Sequence, residues 1–303
     1  MGETLVEGEA DSSLPAGSLW LVATPIGNLR DLSARAVDIL RRAELLLAED
    51  TRHTQHLLHA CGIERKSDTL WSLHEHNEHS RTGTIVARLR AGASVALVSD
   101  AGTPLISDPG AALVAAVVAA GLPVSTVPGP CAAIAALSLS TLPAERFCFE
   151  GFLPAKAAAR RSALEGLVNE TRTLVFYEAP HRIVAMLEAC AAVFGAERPA
   201  AVSRELTKRF ESVYRGTLAE LATRANMDAD VARGELVVVI AGAEPVAEPE
   251  QRRRIDALLV ALLAELPVSQ AARLAAQATG VGRNELYARA MELRASTEPS
   301  ADG

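Results

Sequence analysis

Short apolar runs recur through the first half of the chain, and each breaks at once into small, polar or charged residues. Leu19-Trp-Leu-Val-Ala23 gives way to Thr24-Pro-Ile-Gly-Asn28, and Glu44-Leu-Leu-Leu-Ala48 to Glu49-Asp-Thr-Arg52. Leu70 to Leu73 ends in His74-Glu-His-Asn77, Val95 to Val98 in Ser99-Asp-Ala-Gly-Thr-Pro104, and Leu122 to Val127 in Pro128-Gly-Pro130. Runs this short and this apolar read as strands buried on both faces. The stretches between them carry helical spacing. Leu32, Ala36, Ile39 and Leu40 share a face of a helix over Asp31–Ala43, a second helix runs to Ala60 before Gly62, and a charged one spans Glu78–Arg90. Asp108-Pro109 is placed to open an Ala/Val-rich helix ending at Gly121, with Asp108 as N-cap and Pro109 at the first helical position. Strict alternation of strand and helix predicts a mostly parallel sheet with its Gly-, Pro- and carboxylate-rich loops along one edge.

The pattern continues as a second α/β half. Strands are predicted at Phe147–Gly151, Thr173–Tyr177, Ala200–Ser203, Glu211–Gly216 and Glu235–Ile240, with helices at Lys156–Val168 and His181–Val193. Ala241 to Glu250 has linker composition. Beyond it, helices at Arg252–Glu265, Ser269–Ala278 and Glu285–Leu293, with a Gly280-Val-Gly-Arg-Asn284 turn, read as a helix-turn-helix module. The expected organisation is a disordered tail over 1–17, α/β domains over 18–130 and 131–243, a linker over 244–250, and a helical module with its tail over 251–303.

Composition narrows this only slightly. A chain of 303 residues that is 49% apolar has material for more than one core. Residues 1–17 lack the basic start and apolar run of a signal peptide, and no run approaches a membrane span, so no membrane partner is expected. Cys61, Cys131, Cys148 and Cys190 form no CxxC pair and read as free thiols of a reducing cytoplasm. A net charge of −7 argues against a generally sticky nucleic-acid binder, without excluding a local basic face.

The loops carry the chemistry. No Gly-x-Gly-x-x-Gly follows a strand and no P-loop is present, which disfavours a standard dinucleotide or polyphosphate site. Instead Pro25-Ile-Gly-Asn28, Asp100-Ala-Gly-Thr-Pro104 and Pro128-Gly-Pro-Cys-Ala132 offer small residues at strand ends, where backbone approaches a ligand closely. Carboxylates beside them suit a small cation such as a sulfonium. His53, His56 and His59, and the set His74, His76 and His79, admit three readings: a metal site, a polar cleft lining, or a solvated helix start. No metal is expected, because a spacing of three along a helix does not bring three side chains to one point.

Val22-Ala-Thr-Pro-Ile-Gly-Asn-Leu-Arg-Asp31, Ala48-Glu-Asp-Thr-Arg-His-Thr54, Leu97 to Gly110, Pro128 to Ile134 and Glu150-Gly-Phe-Leu-Pro154 together resemble the motifs of the tetrapyrrole methylase superfamily. The resemblance is to its ribosomal-RNA branch, the 16S rRNA cytidine 2′-O-methyltransferases, and it spans about residues 18–295. The loops read Thr-Pro-Ile-Gly-Asn and Ser-Asp-Ala-Gly-Thr-Pro, where tetrapyrrole-acting members usually show a Gly-rich first loop and Gly-Asp-Pro in the third. The resemblance implies two α/β domains with S-adenosylmethionine in the cleft between them, a helical C-terminal module, a homodimer, and 16S rRNA of the small ribosomal subunit as partner. Its cofactor regions fall on Pro25, Gly27, Ser99, Asp100, Gly102, Thr103, Pro128, Cys131, Ala132 and Tyr177. For the chemistry, the strand ends offer Glu49, Asp50, His74, Glu178 and Glu205 as candidate bases, of which Glu178 is favoured, with Lys208 and Arg52 available to stabilise a forming alkoxide. Lys156, Arg160 and Arg161 are gathered on one side of a helix and are expected to meet RNA phosphates. Arg283, Asn284 and Arg289 offer a further RNA contact. Competing functions are methylation of a tetrapyrrole or other small molecule on the same fold, and non-catalytic RNA binding.

Overall fold

The computed structural model describes residues 14–244 and 248–297. The first sheet contains β1 (Leu19–Val22), β2 (Leu45–Ala48), β3 (Leu70–Ser72), β4 (Val95–Val98) and β5 (Val124–Val127), in the order β3-β2-β4-β1-β5. Every pairing is parallel. Leu45–Ala48 and Val95–Val98 are buried at every position, as strands covered on both faces require. One face packs on α1 (Ala34–Arg42) and α2 (Thr51–Ala60), around Ala36, Ile39, Leu40 and Leu58. The other packs on α3 (Glu78–Arg90) and α4 (Ala111–Ala119), around Ile85, Leu89, Leu113 and Val117.

Helix α5 (Ala132–Ser140) crosses to the second sheet, built of β6 (Phe147–Phe152), β7 (Thr173–Glu178), β8 (Pro199–Arg204), β9 (Ser212–Thr217) and β10 (Leu236–Ile240) in the order β6-β7-β10-β8-β9. Only β6 and β7 run parallel; the remaining pairs are antiparallel. One face carries α6 (Ala157–Gly166), α7 (Ile183–Phe194) and α8 (Leu218–Met227), packed around Leu164, Met186, Leu187 and Leu221. The other face carries α5, and Ile26 and Leu206 join that cluster from loops. The two sheets belong to one compact unit ending at Ala243. A separate unit holds α9 (Glu248–Leu263), α10 (Val268–Thr279) and α11 (Arg283–Thr297), closed around Leu259, Ala272, Ala275, Leu286 and Ala290.

Three expectations need correction. Residues 1–13 lie outside the described residues, but 14–17 are no tail: Leu14 packs against the first core and Gly17 N–H donates to Gly92 O at 3.0 Å. Residues 241–243 are tied down by Ala241 N–H to Pro199 O (2.8 Å) and Ala243 N–H to Glu170 O (2.6 Å), and α9 starts at Glu248. Residues 245–247 of the expected linker lie outside the described residues. Asp108 does not cap α4; Gly110 (φ 122°) does, with no side-chain cap bond. Gly110, inside the predicted first turn, has a φ no α-helix can hold, so the helix cannot start until Ala111; Leu105 (φ 74°) and Ser107 (φ 68°) upstream are left-handed.

Candidate active site

The loops after β1, β4 and β5 are fastened to one another before they meet any ligand. Thr24 and Gly102 exchange backbone hydrogen bonds at 2.8 and 3.1 Å. Thr24 Oγ1 donates to Ser99 O at 3.1 Å, Ser99 Oγ to Gly102 O at 2.9 Å, and Thr103 Oγ1 to Pro130 O at 3.0 Å. Across from them, Glu205 (φ 50°) and Thr207 (φ 63°) are also left-handed. Their turn is held by Glu205 Oε1, which accepts from Lys208 Nζ (3.0 Å) and Glu235 N–H (2.9 Å), and by Thr207 N–H donating to Glu211 Oε2 (2.6 Å). Each such residue costs on the order of 1–3 kcal/mol, and conformations this expensive cluster where a loop is shaped for a ligand.

Between the two turns lies a cavity of about 410 Å³. One wall is Ile26, the loop from Asp100 to Thr103, Ile106 to Asp108, and Ala132 at the start of α5. The other is Phe152, Tyr177 to Pro180, Leu206, and Gly234 to Val237. The volume falls in the usual range for small-molecule and cofactor sites.

The first wall is acidic and poorly compensated. Asp108 is pushed up to about 6, first by burial, then by the nearby Glu49 and Asp100 carboxylates. The Ser99 hydroxyl opposes this, but its single proton must also serve Gly102 O. Asp108 Oδ2 is buried without a hydrogen-bond partner. Glu49 is raised by burial and by Asp100. Asp100 accepts from Asp50 N–H at 3.0 Å and faces His53 Nδ1 at 3.2 Å. On the second wall, burial raises Glu178, and the Ala179 N–H, Arg182 and Arg160 oppose that shift. Burial likewise raises the Tyr177 phenol, whose oxygen accepts from Ala133 N–H at 3.3 Å.

The structure brings Asp100, Gly102, Thr103, Ala132, Tyr177 and Glu178 onto this cavity. Pro25, Gly27, Ser99, Pro128 and Cys131 are not among its lining. Gly27 is a packing position: a Cβ there would sit 2.4 Å from Lys208 Cγ and 2.9 Å from Leu206 O. Ser99 braces the loop from behind, and Pro128 follows β5 without reaching the cavity.

The expected catalytic trio is not assembled. Glu178 lines the cavity, yet its side chain is 0% exposed and its Oε1 pairs with Arg182 Nε at 3.1 Å. Lys208 is clamped between Glu205 and Glu235 at 3.0 and 3.2 Å. Arg52 is 82% exposed and bound to Asp50 at 2.6 Å, away from the cavity lining. Nor do the three cations of α6 share a surface: Arg160 is 8% exposed and turned inward to Ala155 O, while Arg161 pairs with Glu165 and Lys156 stays exposed. In the helical unit Arg289 is bound by Asp256 and Glu292, so it is committed within that unit.

Sequence reasoning passed over Asp108 as a cap, and over Phe152 and Leu206 as lining; the resemblance had pointed to a late segment near the final strand, where Gly234–Val237 lie. The signal for Asp108 was its place in the loop after β4, four residues beyond Pro104. Of the histidines, His53 serves Asp100, and His74 Nε2 lies 3.0 Å from Asn77 Nδ2. Among the described residues no three His, Cys, Asp or Glu side chains are grouped to hold a metal ion.

The comparisons with known proteins agree with this geometry. The profile of the tetrapyrrole (corrin/porphyrin) methylases matches residues 18–222, and that of the RsmI C-terminal HTH domain matches residues 249–294. "Ribosomal RNA small subunit methyltransferase I" of Xylella fastidiosa (strain Temecula1) is 55% identical, covering 89% of this chain and 98% of its own. The protein of the same name from Pseudomonas aeruginosa is 52% identical, covering 92% and 98%, and that from Escherichia coli O157:H7 is 47% identical, covering 93% and 97%. Among solved structures, the methyltransferase CobJ superposes with a TM-score of 0.55 at 18% identity, covering 75% of this chain and 95% of that one. Uroporphyrin-III-C-methyltransferase from Thermus thermophilus does so at 0.51 and 23%, covering 74% and 94%; at these identities the likeness is one of fold. A tetrapyrrole methylase profile over most of the first unit, relatives near half-identical over nine-tenths of the chain, and a cleft site on this fold leave one conclusion: the chain is a methyltransferase of the tetrapyrrole methylase family, in the group of ribosomal RNA small subunit methyltransferase I.

Proposed function

We propose that the chain transfers a methyl group from S-adenosylmethionine to the ribose 2′-hydroxyl of a cytidine in the decoding region of 16S rRNA. It does so on the small ribosomal subunit, in the cytoplasm, as a homodimer. The observation that carries this reading is the cavity: an apolar pocket of about 410 Å³ with uncompensated carboxylates on one wall. That donor set fits the cofactor. Asp100 and Asp108 suit a cationic sulfonium, and Ile26, Leu206 and Val237 suit an apolar ring system. The backbone of Asp100 to Thr103 and Ala132 would hold its polar ends. When bound, S-adenosylmethionine supplies an electrophilic methyl group.

The rest belongs to the chain. Alignment of two reactants in a walled site supplies on the order of 7–11 kcal/mol. The ribose hydroxyl is a weak nucleophile while it keeps its proton, and a positioned base adds roughly 10²–10⁴-fold. Of Asp108 and Glu178, Asp108 is the better base. Burial first, and then neighbouring carboxylates, raise its proton affinity toward neutrality, whereas Glu178, also raised by burial, faces Arg182 and Arg160. Asp108 would accept the hydroxyl proton as the methyl carbon bonds to the ribose oxygen and its bond to sulfur breaks, leaving a neutral thioether. Glu178 anchors the second wall.

The test is methyl transfer to small subunits prepared from a strain lacking this modification. Label in the ribose of a decoding-region cytidine is expected, and labelled protein incubations with unlabelled RNA would overturn the reading. Asp108→Asn should lower kcat at least tenfold and remove the rise in kcat/KM with pH near 6. Turnover close to the parent with that rise intact would reject Asp108.

A further inference from the structure

Beside the cavity stands an aromatic side chain that the fold does not use. Phe152, the last residue of β6, lines the cavity and is 54% exposed. Its orientation is fixed from behind. The Tyr177 ring meets it edge-on at 5.6 Å, and Phe149 meets Tyr177 in turn at 4.9 Å. Tyr177 is itself pinned by the Ala133 N–H. The Phe152 ring is thus braced on one side and open on the other. Next to it Gly151 approaches the opposite loop, where an added Cβ would sit 3.2 Å from Ser107 Oγ. This brings the end of β6 beside Ile106, a second exposed apolar residue of the lining.

Charge divides this mouth from the interior. Asp100, Asp108, Glu178 and Glu235 line the cavity, so a phosphate would be repelled from it. Outside, four residues beyond Phe152 and within about 14 Å of chain, Lys156 is exposed and its side chain enters no ion pair or hydrogen bond among the described residues. A ligand that suits both must put an uncharged planar group inward and leave its phosphates outside.

We infer that the cavity mouth is a nucleobase platform: the open face of Phe152 stacks on the base of a nucleotide splayed out of single-stranded RNA, whose phosphate lies at Lys156. This deepens the RNA methylation reading and rests on it. Proteins that act on or read unpaired RNA hold extruded bases on aromatic faces and follow the backbone with cations. The arrangement also serves the reaction, since a base held at the mouth sets its ribose, and hence the 2′-oxygen, toward Asp108. Phe152 is a positioning residue.

The experiment uses the full chain with a cytidine-containing single-stranded oligoribonucleotide and with small subunits. In Phe152→Trp the new indole should be quenched on binding the oligoribonucleotide, by stacking. Phe152→Ala should raise KM for small subunits roughly tenfold, well beyond any change in kcat or in S-adenosylmethionine affinity. Phe152→Tyr should restore KM and Phe152→Leu should not, because stacking needs a flat ring and apolar packing does not. An unchanged KM in Phe152→Ala, or full rescue by leucine, overturns the platform. So does conversion of a dimer to monomers by Phe152→Ala in light scattering, which would make this face a contact between copies of the chain. Quenching of Phe152→Trp without any methyl transfer by the parent would sink the methylation reading and leave the base platform standing.

Discussion

The two walls of the cavity are built on opposite plans. The first stands on a parallel sheet and leaves carboxylates unmatched: Asp100 has only His53, and Asp108 has no cation among its neighbours. The second stands on a mixed sheet and matches its charges, Glu178 with Arg182 and Glu205 and Glu235 with Lys208. A matched buried pair holds structure in place, since removing one partner strands the other. An unmatched carboxylate costs stability until something binds or protonates it. The first wall therefore reads as the reactive one and the second as its support.

The largest effect should come from the backbone of the first wall. Gly102 sits at φ 89°, bridged to Thr24, and a Cβ there would touch Ile26 Cγ2 at 3.4 Å and Pro130 O at 3.6 Å. A β-branched residue is strained at that φ and fills space on the cavity side. Gly102→Val should abolish measurable S-adenosylmethionine binding in calorimetry while circular dichroism still reports the fold. Normal affinity in a folded variant would place the cofactor elsewhere.

Next comes a contrast in stability between the walls. Glu178→Ala leaves Arg182 and the inward Arg160 without their counter-charge, and should cost about 3–5 kcal/mol. Asp108→Asn should do the opposite at neutral pH. Asp108 binds its proton more tightly folded, at about 6, than unfolded, near its ordinary 3.8. Below that window both states are protonated and nothing is lost; as pH rises through it, the unfolded chain releases the proton first and stability falls. Above 6 the full cost is present, on the order of 1–2 kcal/mol once partial exposure is discounted. The variant should thus match the parent near pH 4 and melt a few degrees higher at pH 8. A parent that is the more stable of the two at pH 8 would contradict the unmatched state of the first wall.

The first sheet and its loop edge were legible because buried parallel strands write themselves as short apolar runs. What the loops do was less so. Gly27 and Gly129 look like ligand-cradling glycines, yet they make room for Lys208 and Ala23, and Lys208 lies far along the chain where no local pattern reaches. Asp108-Pro109 spells a helix start. The positive φ of Gly110 postpones it, and the left-handed Leu105 and Ser107 upstream are residue types that do not announce that conformation. Phe152 falls just past the predicted Phe147–Gly151 strand, and no local pattern shows that the end of β6 opens on the cavity. Arg160 was misplaced for a related reason: helical spacing told which residues are near one another, but not which side of α6 faces the core.

That last error yields the smallest and most discriminating measurement. Lys156, Arg160 and Arg161 lie within six residues and meet three different fates. Lys156 precedes α6 and is unpaired, Arg160 is inward, and Arg161 is held by Glu165 at 2.8 Å. Only an exposed, unpaired cation gives its full charge to a phosphate. Lys156→Ala should therefore flatten the salt dependence of RNA binding by about 0.7 in the slope of log K against log salt, the release expected for one single-strand contact. Arg161→Ala should change it less, because Glu165 already competes for the guanidinium in an exposed pair of little strength. Arg160→Ala should leave the slope alone and lower the melting temperature, having removed a buried group that faces Glu178. Equal slopes in all three variants would mean that this end of α6 stays out of the RNA contact, and the phosphate would have to be sought on another side of the cavity mouth.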